Sequence, residues 1–144
     1  QPRSRGLGDV YKRQLFGLCK KLISENKTVN VILGFNTKSE IFLEDEFRAL
    51  GANVAVTTAD GSYGLKGFVN AAMEHADYSY FYTCGPKPML KAVNAAAKTG
   101  GQFSFEERMG CGTGACMGCT CKTKKGPKRV CTEGPVFLRE EIEW

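Results

Sequence analysis

No stretch of this 144-residue sequence approaches the roughly 18 consecutive apolar residues that a membrane-spanning helix requires. Its longest apolar stretches, such as Val29 to Phe35, fit a buried strand. The N-terminus likewise lacks an apolar run that would serve as a secretory signal, so a cytoplasmic location without membrane association is expected. Charge of one sign is in modest supply, with 20 Lys and Arg against 15 Asp and Glu for a net +5. No basic face interleaved with stacking aromatics accompanies it, and nucleic-acid binding is not inferred. Histidine is nearly missing. His75 stands alone and falls late in an expected helix, where it reads as a surface or helix-end residue and not a catalyst. The length suits about one domain, or one with a small appendage, and is too short for a large multidomain enzyme.

Cysteine is what the sequence has in excess. Cys19 and Cys84 stand apart, whereas Cys111, Cys116, Cys119, Cys121 and Cys131 fall close together. Seven is an odd number, so complete disulfide pairing within one chain is impossible, and without a signal an oxidising compartment is not expected. Metal or redox chemistry is the better reading.

Residues 1–14 are polar, carry no helical or strand periodicity, and are expected to be a non-native, unstructured leader. Gly6-Leu7-Gly8 is no dinucleotide fingerprint, because the preceding strand and the third glycine are missing. Regular patterning starts at Leu15, where Leu15, Leu18, Leu22 and Ile23 are spaced as a helix face. Val29–Phe35 then reads as a strand buried on both faces. Thr37 and Glu40 form a capping-box pair ahead of a helix that Gly51 stops. A strand over 52–59, a turn-rich loop from Asp60 to Gly67, a helix reaching about His75 and a strand over 78–83 follow. Pro88 suits the first turn of a last helix that continues to Gly100-Gly101. This alternation predicts an α/β fold, a doubly wound parallel sheet over 15–101. Its expected opening strand and glycine-rich turn are absent, which suggests a native chain extending further upstream. After Gly101 the composition shifts to glycine and cysteine, and 102–144 is expected to form a smaller second domain.

Cys111, Cys116, Cys119 and Cys131 are spaced C-x4-C-x2-C-x11-C. The first two intervals match the plant-type spacing that holds a [2Fe–2S] cluster. One tight loop must wrap two irons, and Gly110, Gly112, Gly114 and Gly118 allow the close backbone approach that this needs. Cys131 would arrive from a separate strand after the turn at Gly126-Pro127. Zinc is the competing reading, but it usually wants two short Cys pairs, and only one C-x2-C is present. Cys121 reads as a residue packed near the cluster and not ligating, and Cys19 as a small core residue. An oxidised cluster carries a charge of about −2 with its thiolates. Arg108, Lys122, Lys124, Lys125, Lys128 and Arg129 are the cations available to offset it, or else a solvated basic hairpin.

Cys84-Gly85-Pro86-Lys87-Pro88-Met89 follows an expected strand and opens a helix, the position at which open α/β sheets bind ligands. A plain strand-to-helix turn needing Gly and Pro is the alternative. The Asp60–Gly67 loop ends the preceding strand, and the two loops are expected on one edge of the sheet, lining one cleft.

Taken together, EERMGCGTGACMGCTCKT, KRVCTEGPVF, ILGFNTKSEIFLEDEF and YTCGPKPML resemble the electron-transfer subunit of type B dihydroorotate dehydrogenase, a ferredoxin-reductase-like flavoprotein with a [2Fe–2S] domain. The resemblance covers about Leu15 to Trp144. It implies an oxidoreductase subunit of pyrimidine biosynthesis. Electrons from an FMN-containing catalytic subunit would pass through [2Fe–2S] and FAD to NAD⁺, within a heterotetramer. It assigns Cys111, Cys116, Cys119 and Cys131 to the cluster. Cys84, Gly85, Pro86 and Met89 would lie by the nicotinamide, and Asp60, Gly61, Ser62 and Gly64 would line the pyridine-nucleotide cleft. The N-terminal β-barrel that supplies most FAD contacts in that family is not in this sequence, so full activity is not expected of the chain alone. The flavin and iron–sulfur subunit of a sulfide dehydrogenase, or of an NADH-dependent ferredoxin:NADP oxidoreductase, is the nearest rival. A zinc-stabilised interaction module is the rival of another class.

Overall fold

The computed structural model describes residues 14–106, 120–134 and 136–144. These fall into two compact units, one ending at Tyr78 and one running from Ser79 to Trp144.

The first unit is a layered α/β structure. Helix α1 (14–24) leads into β1 (Asn30–Phe35), then a 3-10 turn (Lys38–Glu40), α2 (Glu44–Ala49), β2 (Asn53–Thr58), the two-residue β3 (Leu65–Lys66) and α3 (Val69–Met73). Strands β1 and β2 run parallel in register from Asn30 opposite Asn53 to Phe35 opposite Thr58, and β3 adds in parallel to the end of β2. Side chains alternate across a strand, and here the alternation separates two helix layers. Leu33, Phe35 and Val56 join Cys19 of α1 and Phe47 of α2 in one core, with the Phe16 and Phe47 rings edge-to-face at 5.3 Å. Gly34 turns to the opposite face, where Val69 of α3 lies so close that a Cβ would stand 2.7 Å from its Cγ1. Cys19 is buried, as a core residue should be, and that burial pushes its thiol pKa up.

One helix is shorter than its sequence signals predict. The pair Thr37 and Glu40 caps no long helix: Thr37 precedes only the 3-10 turn, makes no side-chain capping bond, and α2 begins seven residues later behind Leu43 at φ 66°. Glu40 does reach back, but to the backbone N–H of Asn36 (3.2 Å). The reason is tertiary. The Ser62 hydroxyl accepts the backbone N–H of Lys38 (2.8 Å) and lies 3.4 Å from the Thr37 hydroxyl. That contact holds the chain in a turn where local sequence favours a helix.

The second unit contains β4 (Phe81–Pro86), α4 (Lys87–Ala96), β5 (Gly101–Glu106), β6 (Thr120–Thr123), β7 (Gly126–Arg129), α5 (Val130–Glu133), β8 (Val136–Leu138) and a 3-10 turn (Arg139–Glu141). β4, α4 and β5 form a parallel βαβ crossover, and β8 joins β5 antiparallel. The segment from Gly101 is thus a strand of the second unit's own sheet, between β4 and β8. Phe103 and Phe105 are buried on the helix side with Phe81, Leu90 and Val93. Trp144 packs edge-to-face on Phe103 at 5.0 Å and stacks on Phe105 at 6.1 Å. The Arg139 guanidinium fastens the chain end by donating to the Asn94 side chain (2.9 Å) and to the carbonyls of Asn94 and Thr99.

Candidate functional site

Two places carry the residues singled out by sequence. The first is the β6–β7 hairpin. Cys111, Cys116 and Cys119 lie outside the described residues, while Cys131 is the second residue of α5. The hairpin register pairs Thr120 with Arg129, Cys121 with Lys128, and Thr123 with Gly126. Thr120 directly follows Cys119 in sequence and Arg129 precedes Cys131 by two residues, so antiparallel pairing brings the attachment points of the third and fourth cysteines to the same open end.

Further contacts fix that open end. The Glu133 carboxylate accepts the backbone N–H of Arg129 (2.7 Å), capping the single turn that carries Cys131. The C-terminal segment clamps the other end: Lys124 donates its N–H to the Glu141 carbonyl (2.8 Å), Glu143 donates to the Lys122 carbonyl (3.1 Å), and Thr123 bridges Ile142. The Glu141 carboxylate accepts the Leu138 N–H (2.9 Å) and pairs with Lys128 at 3.6 Å. The Leu138 bond leads in holding its pKa below the ordinary carboxylate value, and Lys128 adds to it. Cys121, the fifth cysteine of the cluster region, is 2% exposed in β6 with Val130 and Ile142 also buried. Among the described residues no group of three or more His, Cys, Asp and Glu is placed to hold a metal ion.

The second place is, in each unit taken by itself, the carboxyl end of a parallel strand. After β2 the Asp60 carboxylate accepts both the backbone N–H (2.9 Å) and the hydroxyl (2.7 Å) of Ser62. These bonds, the hydroxyl first, lower the Asp60 pKa. Because Ser62 in turn receives the Lys38 N–H, the loops that follow β1 and β2 are tied into one exposed rim. Lys38 of that rim was not singled out by sequence, and Thr37 was singled out only as a helix cap. Behind the rim, Thr58 donates its hydroxyl to the Tyr63 carbonyl (2.6 Å), while the Tyr63 phenol donates to Glu44 (3.0 Å), whose carboxylate pushes the phenol pKa up. Lys38 Nζ stands 5.7 Å from the Tyr63 ring centroid.

Cys84, Gly85 and Pro86 are the last residues of β4, in the second unit, and α4 begins at Lys87 with Pro88 in its first turn. The sequence assigned these residues to a turn beyond the strand; they are strand residues paired with Ser104, Phe105 and Glu106. Gly85 is buried under Met89, whose Cε would lie 2.6 Å from a Cβ at that position. Met89 therefore folds back over the strand end and packs on Gly85, so two of the four residues assigned to the nicotinamide touch. His75 is exposed just after α3, as expected.

Residues 106–143 match the family model described as the iron–sulfur cluster binding domain of dihydroorotate dehydrogenase B. Curated relatives extend the likeness to nearly the whole chain. The electron transfer subunit of dihydroorotate dehydrogenase B (NAD(+)) from Shouchella clausii (strain KSM-K16) is 43% identical over 142 residues, covering 94% of this chain and 54% of its own length. Those of Fusobacterium nucleatum subsp. nucleatum and Bacillus pumilus (strain SAFR-032) are also 43% identical, over 144 and 141 residues. The chain is homologous to the electron transfer subunits of dihydroorotate dehydrogenase B. It spans about half the length of those curated relatives. Among solved structures, one described as an NADH-dependent reduced ferredoxin-NADP oxidoreductase, in a study of flavin-based electron bifurcation, superposes with a TM-score of 0.75 at 30% identity, over 90% of this chain and 49% of the other. The α/β expectation thus holds, with a ferredoxin-reductase-like flavoprotein as structural neighbour. No helix among the described residues is long and apolar enough to cross a membrane.

Proposed function

We propose that this chain carries the [2Fe–2S] and pyridine-nucleotide portions of an electron-transfer subunit of dihydroorotate dehydrogenase B. In this reading it passes electrons from an FMN-containing catalytic subunit, by way of the cluster and FAD, to NAD⁺ in pyrimidine biosynthesis. The observation that carries the reading is the C-x4-C-x2-C-x11-C set within the matched segment 106–143, supported by a hairpin register that pairs Thr120, which follows Cys119 in sequence, with Arg129, two residues before Cys131. The residues present fit such a centre. Four thiolates are on hand, and the buried Arg129 Nε has no hydrogen-bond partner among the described residues.

Residues 102–144 would form the cluster domain, with Cys111, Cys116, Cys119 and Cys131 as ligands; Cys121 stays in the hairpin core. When bound, the cluster supplies one-electron exchange, the flavin converts between single electrons and hydride, and the nicotinamide takes the hydride. The chain's own contribution is positional. The four cysteines lose their protons to ligate, and Glu133 holds the turn bearing Cys131. The tied rim of Asp60, Gly61, Ser62 and Gly64 offers exposed backbone and hydroxyl groups at a strand end, the side at which open α/β sheets take nucleotides. Cys84, Gly85, Pro86 and Met89 offer a compact surface at the end of β4. The expected partner is the catalytic dihydroorotate dehydrogenase subunit in a heterotetramer, with a cytoplasmic setting.

Anaerobic iron, sulfide and zinc analysis of the purified chain, with visible spectra before and after dithionite, tests the reading. About two irons and two sulfides per chain with a bleaching charge-transfer spectrum are expected. One zinc with a featureless spectrum would replace the cluster by a structural knuckle. A second reading, an iron–sulfur flavoprotein subunit of an NADH-dependent ferredoxin:NADP oxidoreductase, is favoured by the 0.75 TM-score superposition alone. Electron transfer from a dihydroorotate-reduced catalytic subunit to the cluster separates the two.

A further inference from the structure

We propose that Arg129 is the half-buried cation that sets the reduction potential of the cluster, holding it higher than the cysteines alone would. This inference rests on the [2Fe–2S] reading above and names a residue that the ligand pattern does not.

Arginine stays charged at every accessible pH, and a guanidinium N–H withdrawn from water needs an acceptor. Arg129 is half-buried, and its buried Nε meets no hydrogen-bond acceptor among the described residues; no described carboxylate pairs with the side chain. The acidic groups nearest in the fold are already committed. Glu133 accepts the backbone N–H of Arg129, and Glu141 is held by Leu138 and Lys128. Position then supplies the missing anion. Arg129 lies opposite Thr120, which Cys119 precedes, and stands two residues before Cys131. A centre bound by those cysteines carries about −2 when oxidised and −3 after one electron, and net charge and surrounding dipoles are what tune such potentials. A fixed positive charge in this half-buried setting favours the more negative form. Lysines on the same hairpin do so far less where water screens them; Lys122 and Lys125 are exposed.

The test is a dithionite titration of the reconstituted chain, followed by the visible spectrum and by the EPR signal of the reduced cluster. Arg129→Gln is expected to shift the midpoint to lower potential, Arg129→Lys to shift it less, and Lys122→Gln to leave it at the wild-type value. If Arg129→Gln fails to assemble a cluster while Arg129→Lys assembles one, the positive charge is confirmed as the requirement. A midpoint unchanged in cluster-bearing Arg129→Gln, an equal shift from Lys122→Gln, or loss of the cluster from both arginine variants would overturn the assignment. Wild-type chain without iron and sulfide would instead remove the cluster reading itself.

Discussion

Single residues in the rim that follows β2 hold its shape. Gly64 sits at φ 62°, and a Cβ there would collide with the Val56 carbonyl oxygen. Gly61 has φ 74°, but a Cβ would meet only the Lys66 side chain, which is able to move aside. Both are left-handed positions that cost an alanine roughly 1 kcal/mol or more, and only Gly64 adds a clash with fixed backbone. Gly64→Ala is therefore expected to destabilise the chain by about 2–3 kcal/mol and Gly61→Ala by about 1. Urea denaturation checks this; equal losses at the two sites would show that the Val56 contact does not matter. The glycines were legible in the sequence as turn residues, but the carbonyl that forbids a side chain at one of them was not, because it comes from the preceding strand.

Elements are tied to one another by carboxylates whose role depends on pH. Glu141 bonds the Leu138 N–H and Lys128, and its pKa is lowered in the fold, chiefly by the Leu138 bond. A depressed carboxylate stabilises the folded chain above its unfolded value, near 4.3, and that contribution is lost as pH falls through the lower folded value. Glu141→Gln should thus lower stability near neutral pH and flatten its decline in acid, measured as the difference from wild type in denaturant midpoints across that range. A difference that stays constant with pH would rule out the carboxylate's charge as the cause. At this scale much was readable. The periodicity of Val29–Phe35 and of 52–59 gave two parallel strands, and Gly51 and Pro88 marked a helix end and a helix start. What failed was local inference across tertiary contacts. Thr37 and Glu40 have the capping-box spacing, yet Ser62 from a distant loop takes the Lys38 N–H and leaves only a 3-10 turn.

For the whole molecule, the energy of a bound centre is unevenly distributed. The first unit has its own core around Leu33, Phe35 and Phe47, built from apolar packing and needing no metal. The β6–β7 hairpin has only four residues in each strand, with Cys121 and Thr123 as its buried side chains. Short hairpins are marginal alone, and a metal site contributes its binding energy to the residues that ligate it. Loss of one thiolate should therefore loosen the hairpin selectively. In Cys131→Ser, amide hydrogen exchange over Thr120–Thr123 and Gly126–Arg129 is expected to quicken at least about tenfold, since roughly 1.4 kcal/mol of lost protection suffices for that factor. Amides of Asn30–Phe35 and Asn53–Thr58 should keep their wild-type rates. Iron-free wild-type chain should reproduce the pattern, because it lacks the same ligation with the cysteine intact. Equal acceleration in β1 and β2 would mean that the cysteines support the chain as a whole, and unchanged hairpin exchange would mean that the clamp of Lys122, Lys124, Glu141 and Glu143 holds it without them.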